Sequence, residues 1–455
     1  MPEQERFKKV LKTPDIIALA FGAAIGWAWV VLVGDWIKDG GTLGAVLGFV
    51  VGGVLVFFVG ITYAELCSAM PRCGGEQVFS LRALGYNPSF VCSWALCLSY
   101  IGVVAFEASS LPTVLTHIIP AMSSGGYYTI AGMNVYYPFI IVGFLGAAIL
   151  TYINYIGIKF ASMVQRILTF VIVAVGLLIV VGAFSKGEAV NAQPYFADGG
   201  RGILAVAVIT PFFMVGFDVI PQAAEEVDID PKKLGHLMLF SIALCAVWYC
   251  IIIACVSLVM SHCEIEAADM VTAATLTKIW NGNSIARYVV VIGGACGILT
   301  TWNSFIAAGS RVMFSMAESG MLPKWFAKLH PKYNTPSNAI IFIGVVSALG
   351  TIFGKQVLSW ISNAASLSTV VAYGMVAVSF CVLRKKEPDM PRPYKVKNGM
   401  VKGVIAVVLT VLMLALYLPG MPSGLTKPEW IILAVWTVLG VGMFRAAKKW
   451  RAAVK

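Results

Sequence analysis

The chain has 455 residues, 59% of them hydrophobic and only 12% charged, with a mean hydropathy of +0.84. Soluble domains are about 25% charged, so a soluble globular protein is excluded: too little polar material is present to make its surface. The formal net charge of +11 raises nucleic acid as a partner, a reading that depends on where along the chain the charge falls.

A membrane-spanning helix needs about 20 apolar residues. Twelve such segments are read, at about 14–34, 42–69, 88–117, 137–154, 159–184, 201–221, 236–261, 286–317, 337–354, 357–383, 401–420 and 429–446. Their apolar runs are continuous, not alternating, which argues against a β-barrel. The hydrophilic stretches 118–136, 185–200, 262–285, 318–336 and 384–400 are loops too short to bury a core. The 318–336 stretch is expected to hold a short amphipathic surface helix. Residues 1–455 are expected to form a single transmembrane domain.

Segment one contains Gly22-Ala23-Ala24-Ile25-Gly26. Glycine tolerates non-helical dihedrals, and unwinding here would free N–H groups that, with the helix dipole, attract a carboxylate. Close helix packing through small residues is the competing reading. Segment two ends near Glu65, for which a pair with Arg72 or Arg311 is expected. Segment three carries Glu107 ahead of Pro112. Glu107 is a candidate proton acceptor or ammonium partner, or else a structural hydrogen-bonding group. Lys159 follows Asn154 and Gly157 at the inner end of segment five. It is either a lysine snorkelling to the interface or a partly buried amine that binds and releases a proton, with Thr301 and Ser304 of segment eight as hydroxyl partners. Segment six is interrupted at Gly216-Phe217-Asp218, between Pro211 and Pro221. Asp218 could orient freed backbone groups, meet a substrate amine, or cap a half-helix. Phe212 could cover a bound substrate or pack in the core. Glu225 and Glu226 are expected to face the cytoplasm.

Ionisable residues at membrane depth are expensive and mark solute pathways. Glycine and proline interruptions at matching points of two halves point to a transporter binding site. Segments one and six match in this way, which gives a five-plus-five inverted repeat. Repeat one covers about 14–184, repeat two about 201–383, and two additional helices about 401–446.

With the N-terminus assigned to the cytoplasm, 26 of the 33 Lys and Arg lie on that side. They include Arg6/Lys8/Lys9/Lys12, Arg384/Lys385/Lys386, Arg392/Lys395/Lys397 and Arg445/Lys448/Lys449/Arg451. This positive-inside bias puts both termini in the cytoplasm; the charge is a topology signal and not a nucleic-acid footprint. The ten Cys form no CxxC pair and read as packing residues. The four His are scattered without ligand spacing, so neither a metal nor another cofactor is expected. No cleavable signal peptide is expected, and no nucleophile–base pair or signalling domain is found to support an enzyme or a sensor.

The chain resembles the amino acid–polyamine–organocation (APC) superfamily over most of its length. The stretches that carry the resemblance are GAAIG at 22–26, YAELCSAMPRCGGE at 63–76, NYIGIK at 154–159, GFDVIPQAAEEVDIDPKK at 216–233, SRVMFSMAESGMLP at 310–323 and MPRPYKV at 390–396. The 216–233 stretch is most similar to cationic amino-acid transporters. The resemblance implies an all-α integral membrane protein of twelve transmembrane helices, with a LeuT-like fold, discontinuous helices 1 and 6, and alternating access. It also implies amino-acid binding between segments one and six, usually without sodium. Gly22, Ala23, Ile25, Gly26, Trp27, Phe212, Gly216 and Asp218 are then the expected substrate residues. Ile25 and Gly26 would offer backbone to the carboxylate, Phe212 an aromatic gate, and Lys159 a charge in place of a cation between segments one and eight. One departure is Gly26-Trp27-Ala28-Trp29, where relatives carry small residues in the sense GSGIF.

These readings converge on an inner-membrane permease for an amino acid or related amine, coupled to protons through Lys159 and Glu107 and not to sodium. An amino acid/amine exchanger is the alternative. The expected partners are the solute, protons and lipid, with no obligatory protein partner.

Overall fold

Lipid supplies no hydrogen bonds to the backbone, so an apolar run in a membrane defaults to helix. The computed structural model describes residues 7–421 and 423–447, and all twelve predicted segments fall on helices. Segment one is α1 (Thr13–Ala24) and α2 (Ala28–Val31), and it continues into α3 (Val33–Ala69). Then come α4 (Glu76–Leu84), α5 (Tyr86–Leu115), a hairpin of β1 (Tyr127–Ile130) and β2 (Met133–Tyr136), α6 (Tyr137–Tyr155) and α7 (Ile158–Lys186). The second half opens with α8 (Gly199–Phe213), α9 (Val219–Gln222), α10 (Pro231–Val259), α11 (His262–Ala267) and α12 (Val271–Ile279). It closes with α13 (Ile285–Glu318), α14 (Ser337–Gly350), α15 (Gly354–Lys386), α16 (Gly399–Leu416) and α17 (Lys427–Ala446). Among the described residues, nine helices are long and apolar enough to cross a membrane, and α1, α8 and 337–353 are shorter apolar helices. The chain is a multi-pass membrane protein. Arg6, Lys448, Lys449 and Arg451 of the basic clusters lie outside the described residues.

Local chemistry sets the helix ends. Asp230 caps α10 by accepting from Lys232 N at 2.7 Å, with Pro231 in the first turn. Thr426 and Glu429 form a capping box on α17. Segments one and two run further than their hydropathy suggests. Between α2 and the end of α3 the one non-helical residue is Gly41, at φ 70, where an added Cβ would lie 2.7 Å from Pro194 O. The turn therefore requires glycine. The core is built by α3 packed on α8 and α10, and by α5 packed on α13 and α15.

Several expectations are corrected. The 118–136 loop contains the β1–β2 hairpin. The 318–336 stretch holds only a 3-10 turn, Lys324–Ala327, because Pro323, Pro331 and Pro336 leave no room for a helix. Glu65 does not pair with Arg311. It is buried against Arg384 and Arg392, and it also accepts from Val396 N at 2.7 Å, because the segment after α15 folds back over α3. Glu226 does not face the cytoplasm. It takes a bidentate bond from Arg311, at 2.5 and 2.9 Å, with both side chains buried.

Around that pair the end of the bundle carrying the termini is closed. Val10 N and Leu11 N donate to Glu226 O at 2.9 Å, Asp228 N donates to Leu11 O at 2.8 Å, and Phe7 packs on Phe314 and under Arg311. Tyr63, Phe217 and Tyr373 form a buried aromatic trio with centroids 5.3–5.6 Å apart.

Removing one partner of a buried ion pair costs about 3–5 kcal/mol, because the other charge is left uncompensated. Arg311→Ala is therefore expected to lose about that much in reversible unfolding in mixed micelles. The double variant Arg311→Met/Glu226→Leu should recover most of it, and a single-variant loss below about 1 kcal/mol would mean that the pair is solvated.

Candidate substrate-binding cavity

Both predicted breaks exist. Helix α1 ends at Ala24 and the chain resumes helix at Ala28. Helix α8 ends at Phe213, and α9 begins at Val219. The two breaks meet at Gly216, which has φ 145; a Cβ there would lie 2.7 Å from Ala24 N. Only glycine permits this approach.

Side chains of neighbouring helices occupy the carbonyls around the first break. Tyr249 donates to Ala24 O at 3.1 Å. Thr301 donates to Gly22 O at 3.3 Å and Ala23 O at 3.2 Å, and Ser304 to Leu19 O at 3.3 Å. Gln165 and Thr169 reach Ala18 O at 3.3 and 3.4 Å. A buried amide chain backs them: Asn303 donates to Gln165 at 2.8 Å, and Asn154 to Asn303 at 2.8 Å.

A cavity of about 460 Å³ lies against the two breaks. Its floor and walls include Ala23, Ala24, Gly26, Trp27 and Ala28 from the first break and Phe212, Phe213 and Val215 from the second. Helix α5 contributes Ser99, Val103, Phe106, Glu107, Ser110, Thr113 and, just beyond its end, His117; α15 contributes Ser362, Ala365, Ser366 and Thr369. Asp35 and Asp269 are exposed at its mouth, on the side away from the termini. Asp35 has Lys38 at 3.5 Å. Burial, and then the Arg287 guanidinium, hold His117 below the ordinary imidazole range, so at neutral pH this ring adds no positive charge.

Glu107 is the cavity's buried acid. It is 7% exposed, and among the described residues its Oε2 has no hydrogen-bond partner. A Cβ added at Gly26 would lie 3.5 Å from its Oε1, so the carboxyl faces the first break. Among the described residues no Lys or Arg lines the cavity.

Of the expected site residues, Ala23, Gly26, Trp27, Phe212, Glu107 and Thr301 line this space. Gly22 and Ile25 are buried beside it. Gly216 serves the contact between the breaks. Asp218 does not line the cavity as a substrate residue would: its carboxylate accepts from Tyr100 OH and from the freed Gly216 N, each at 2.9 Å, in keeping with the expectation that it orients backbone at the break. Asp218 therefore braces the break. Lys159 is corrected. It is exposed at the start of α7, because Ile158 takes the buried position and Gln165, two turns on, fills the space beside Gly22. Ser304 is buried and bonded to α1, without reaching the cavity. Trp29 is also outside it, buried against Trp248.

The polar stripe on α5 and that on α15 were missed. Both were readable: 99, 103, 106, 110, 113 and 117 recur at spacings of three and four, as do 362, 365, 366 and 369. Tyr249 had no such signal.

A broken-helix cavity inside a multi-pass bundle defines a membrane permease. The chain belongs to the amino acid permease family, whose model matches residues 11–444. It is 29% identical over 406 residues to the branched-chain amino acid permease BcaP of Bacillus subtilis, covering 86% of this chain and 84% of that protein. It is 24% identical over 439 residues to the methylthioribose transporter of Bacillus subtilis, covering 95% and 92%. It is 25% identical over 452 residues to the chloroplastic cationic amino acid transporter 7 of Arabidopsis thaliana, covering 96% and 75%.

Backbone strain of the kind Gly216→Ala introduces costs about 1–3 kcal/mol. This variant is expected to melt earlier in detergent, whereas Gly200→Ala, where an added Cβ meets nothing within 4 Å, should leave the melting temperature unchanged. Equal melting of the two would mean that the breaks do not touch.

Proposed function

We propose that this permease moves an amino acid or a related amine across the cytoplasmic membrane by alternating access, with both termini in the cytoplasm. The observation that carries the reading is the unpartnered carboxyl of Glu107 beside the first break. A buried carboxylate without a cation is costly, and a substrate ammonium supplies the missing charge. The opened backbone at 25–27 is the natural seat for a substrate carboxylate, and Trp27, Phe106 and Phe212 offer apolar and aromatic walls. The matching breaks support the twelve-helix, LeuT-like architecture with its five-plus-five inverted repeat. The names of the relatives, for branched-chain and for cationic amino acids, make leucine and lysine the first ligands to try.

The reading favours protons over sodium as the coupling ion. The carbonyl oxygens of Ala18, Leu19, Gly22 and Ala23 each accept from a hydroxyl or amide donor, bonds that a sodium ion between α1 and α13 would have to displace. The exposed Lys159 has no part in the proposal.

A ligand that binds the folded state raises its apparent stability, so thermal shifts with leucine, lysine and their decarboxylated amines test the class. Glu107→Gln is expected to weaken binding of the stabilising ligand about tenfold, or about 1.4 kcal/mol, while the apo protein stays folded. Unchanged affinity would remove Glu107 from the site.

A further inference from the structure

A second group of buried acids lies beneath the cavity, on the side of the termini. Glu76 opens α4, and Asp218 closes the second break just before α9; both side chains are fully buried. Helix α9 bridges them: Asp218 is its N-cap, and Gln222, one turn on, bonds to Glu76. The groups facing them are Tyr63 and Cys67 from α3, Cys92 and Tyr100 from α5, Tyr373 from α15, and Gln222 from α9. None carries a positive charge. Three arginines of this end are engaged elsewhere: Arg311 with Glu226, and Arg384 and Arg392 with Glu65. Gln222 donates through Nε2 to Glu76 Oε2, while its own Oε1 is buried without a partner. Among the described residues, the cluster thus holds two acids, two buried acceptor atoms without a hydrogen-bond partner, Glu76 Oε1 and Gln222 Oε1, and no cation.

Two buried carboxylates in one low-dielectric space cannot both stay ionised, and the least costly remedy is to keep a proton. Position gives that proton a role. Gly75 abuts Pro221, where an added Cβ would lie 2.6 Å from the proline Cβ. The α4–α9 contact is therefore part of what closes the inner end. Asp218 reaches the other way, through Gly216, to the backbone of the first break. A movement that opened the inner end would part α9 from α4 and bring water to Glu76.

We propose that the Glu76–Asp218 pair is the proton-binding site of this permease. It holds one proton while the inner end is closed and gives it to water when α9 leaves α4. The proposal rests on the transport reading above but locates the coupling away from both Lys159 and the substrate carboxyl Glu107.

Two measurements on the full chain test it. Infrared spectra in nanodiscs at neutral pH, in a Glu107→Gln background, should contain the carbonyl band of a protonated carboxylic acid. The band should shift in D2O and disappear when Glu76→Gln or Asp218→Asn is added. A band unchanged by both additions overturns the site, whether or not any amino acid binds. In proteoliposomes, using whichever of leucine or lysine stabilises the protein, an inward proton gradient should accelerate uptake by the wild type. Glu76→Gln should retain counterflow of the same solute with the gradient stimulation gone. Stimulation that persists in both Glu76→Gln and Asp218→Asn overturns the coupling assignment. A protein that binds neither solute tells against the transport reading and leaves the infrared result standing.

Discussion

Everything at the centre of this molecule follows from interrupting two helices where the solvent cannot repair the damage. Each interruption frees backbone groups, and in hydrocarbon every one of them must be met by the protein. Tyr249 of α10 and Thr301 of α13 meet the freed carbonyls of Gly22, Ala23 and Ala24, while Ser304 of α13 and Gln165 and Thr169 of α7 bond to Leu19 O and Ala18 O, one turn earlier in α1. The second break is met by Asp218, itself held by Tyr100 of α5. The two breaks therefore have separate sets of holders. They meet at Gly216, and among the described residues no backbone hydrogen bond joins them. Such a joint resists separation along no bond, while each half stays satisfied as the halves move.

Outside the Glu76–Asp218 cluster, charge is distributed in keeping with that division. At the end carrying the termini, the strong acids Glu65 and Glu226 are matched by arginines. In the cavity and its mouth, Glu107 and Asp269 face the open space with no lining Lys or Arg among the described residues, and Asp35 has Lys38 at 3.5 Å. Two charges about 4 Å apart at an effective dielectric near 20 interact by about 4 kcal/mol, so the matched pairs hold their end together. Glu107, buried and without a cation beside it, is open to one that arrives from outside the protein.

The periodic and compositional parts of this arrangement were legible in the sequence. The spans follow from apolar runs, the breaks from Gly22, Gly26 and Gly216, and Glu107 from its lone charge at membrane depth. What a linear reading could not supply was the direction of side chains around each helix axis. Lys159 and Ile158 are neighbours in the chain, yet the first is exposed and the second buried. Asp218 sits at the break as expected, but its rotamer is fixed by Tyr100, 118 residues away. Pairing of Arg311 with Glu226 spans 85 residues, and no local rule chooses between Glu65 and Glu226. The α5 and α15 stripes stood in plain periodicity, but serine and threonine hide well inside helices, where they bond to their own backbone.

The aromatic residue after the first break shows how the opposing helix sets the shape of the site. In place of a small residue the chain has Trp27, whose bulk alone would fill much of the cavity. The ring instead lies over Gly294 of α13, where an added Cβ would come within 1.8 Å of it. One turn further along, a Cβ at Gly297 would lie 2.4 Å from Gly26 O. Glycines on α13 thus accommodate both the ring and the unwound backbone, and the space in front of them stays open. The cavity keeps its volume and gains an aromatic face across from a carboxyl. That combination attracts an ammonium group by charge and by cation–π contact together, and a site of small residues alone would have only the first.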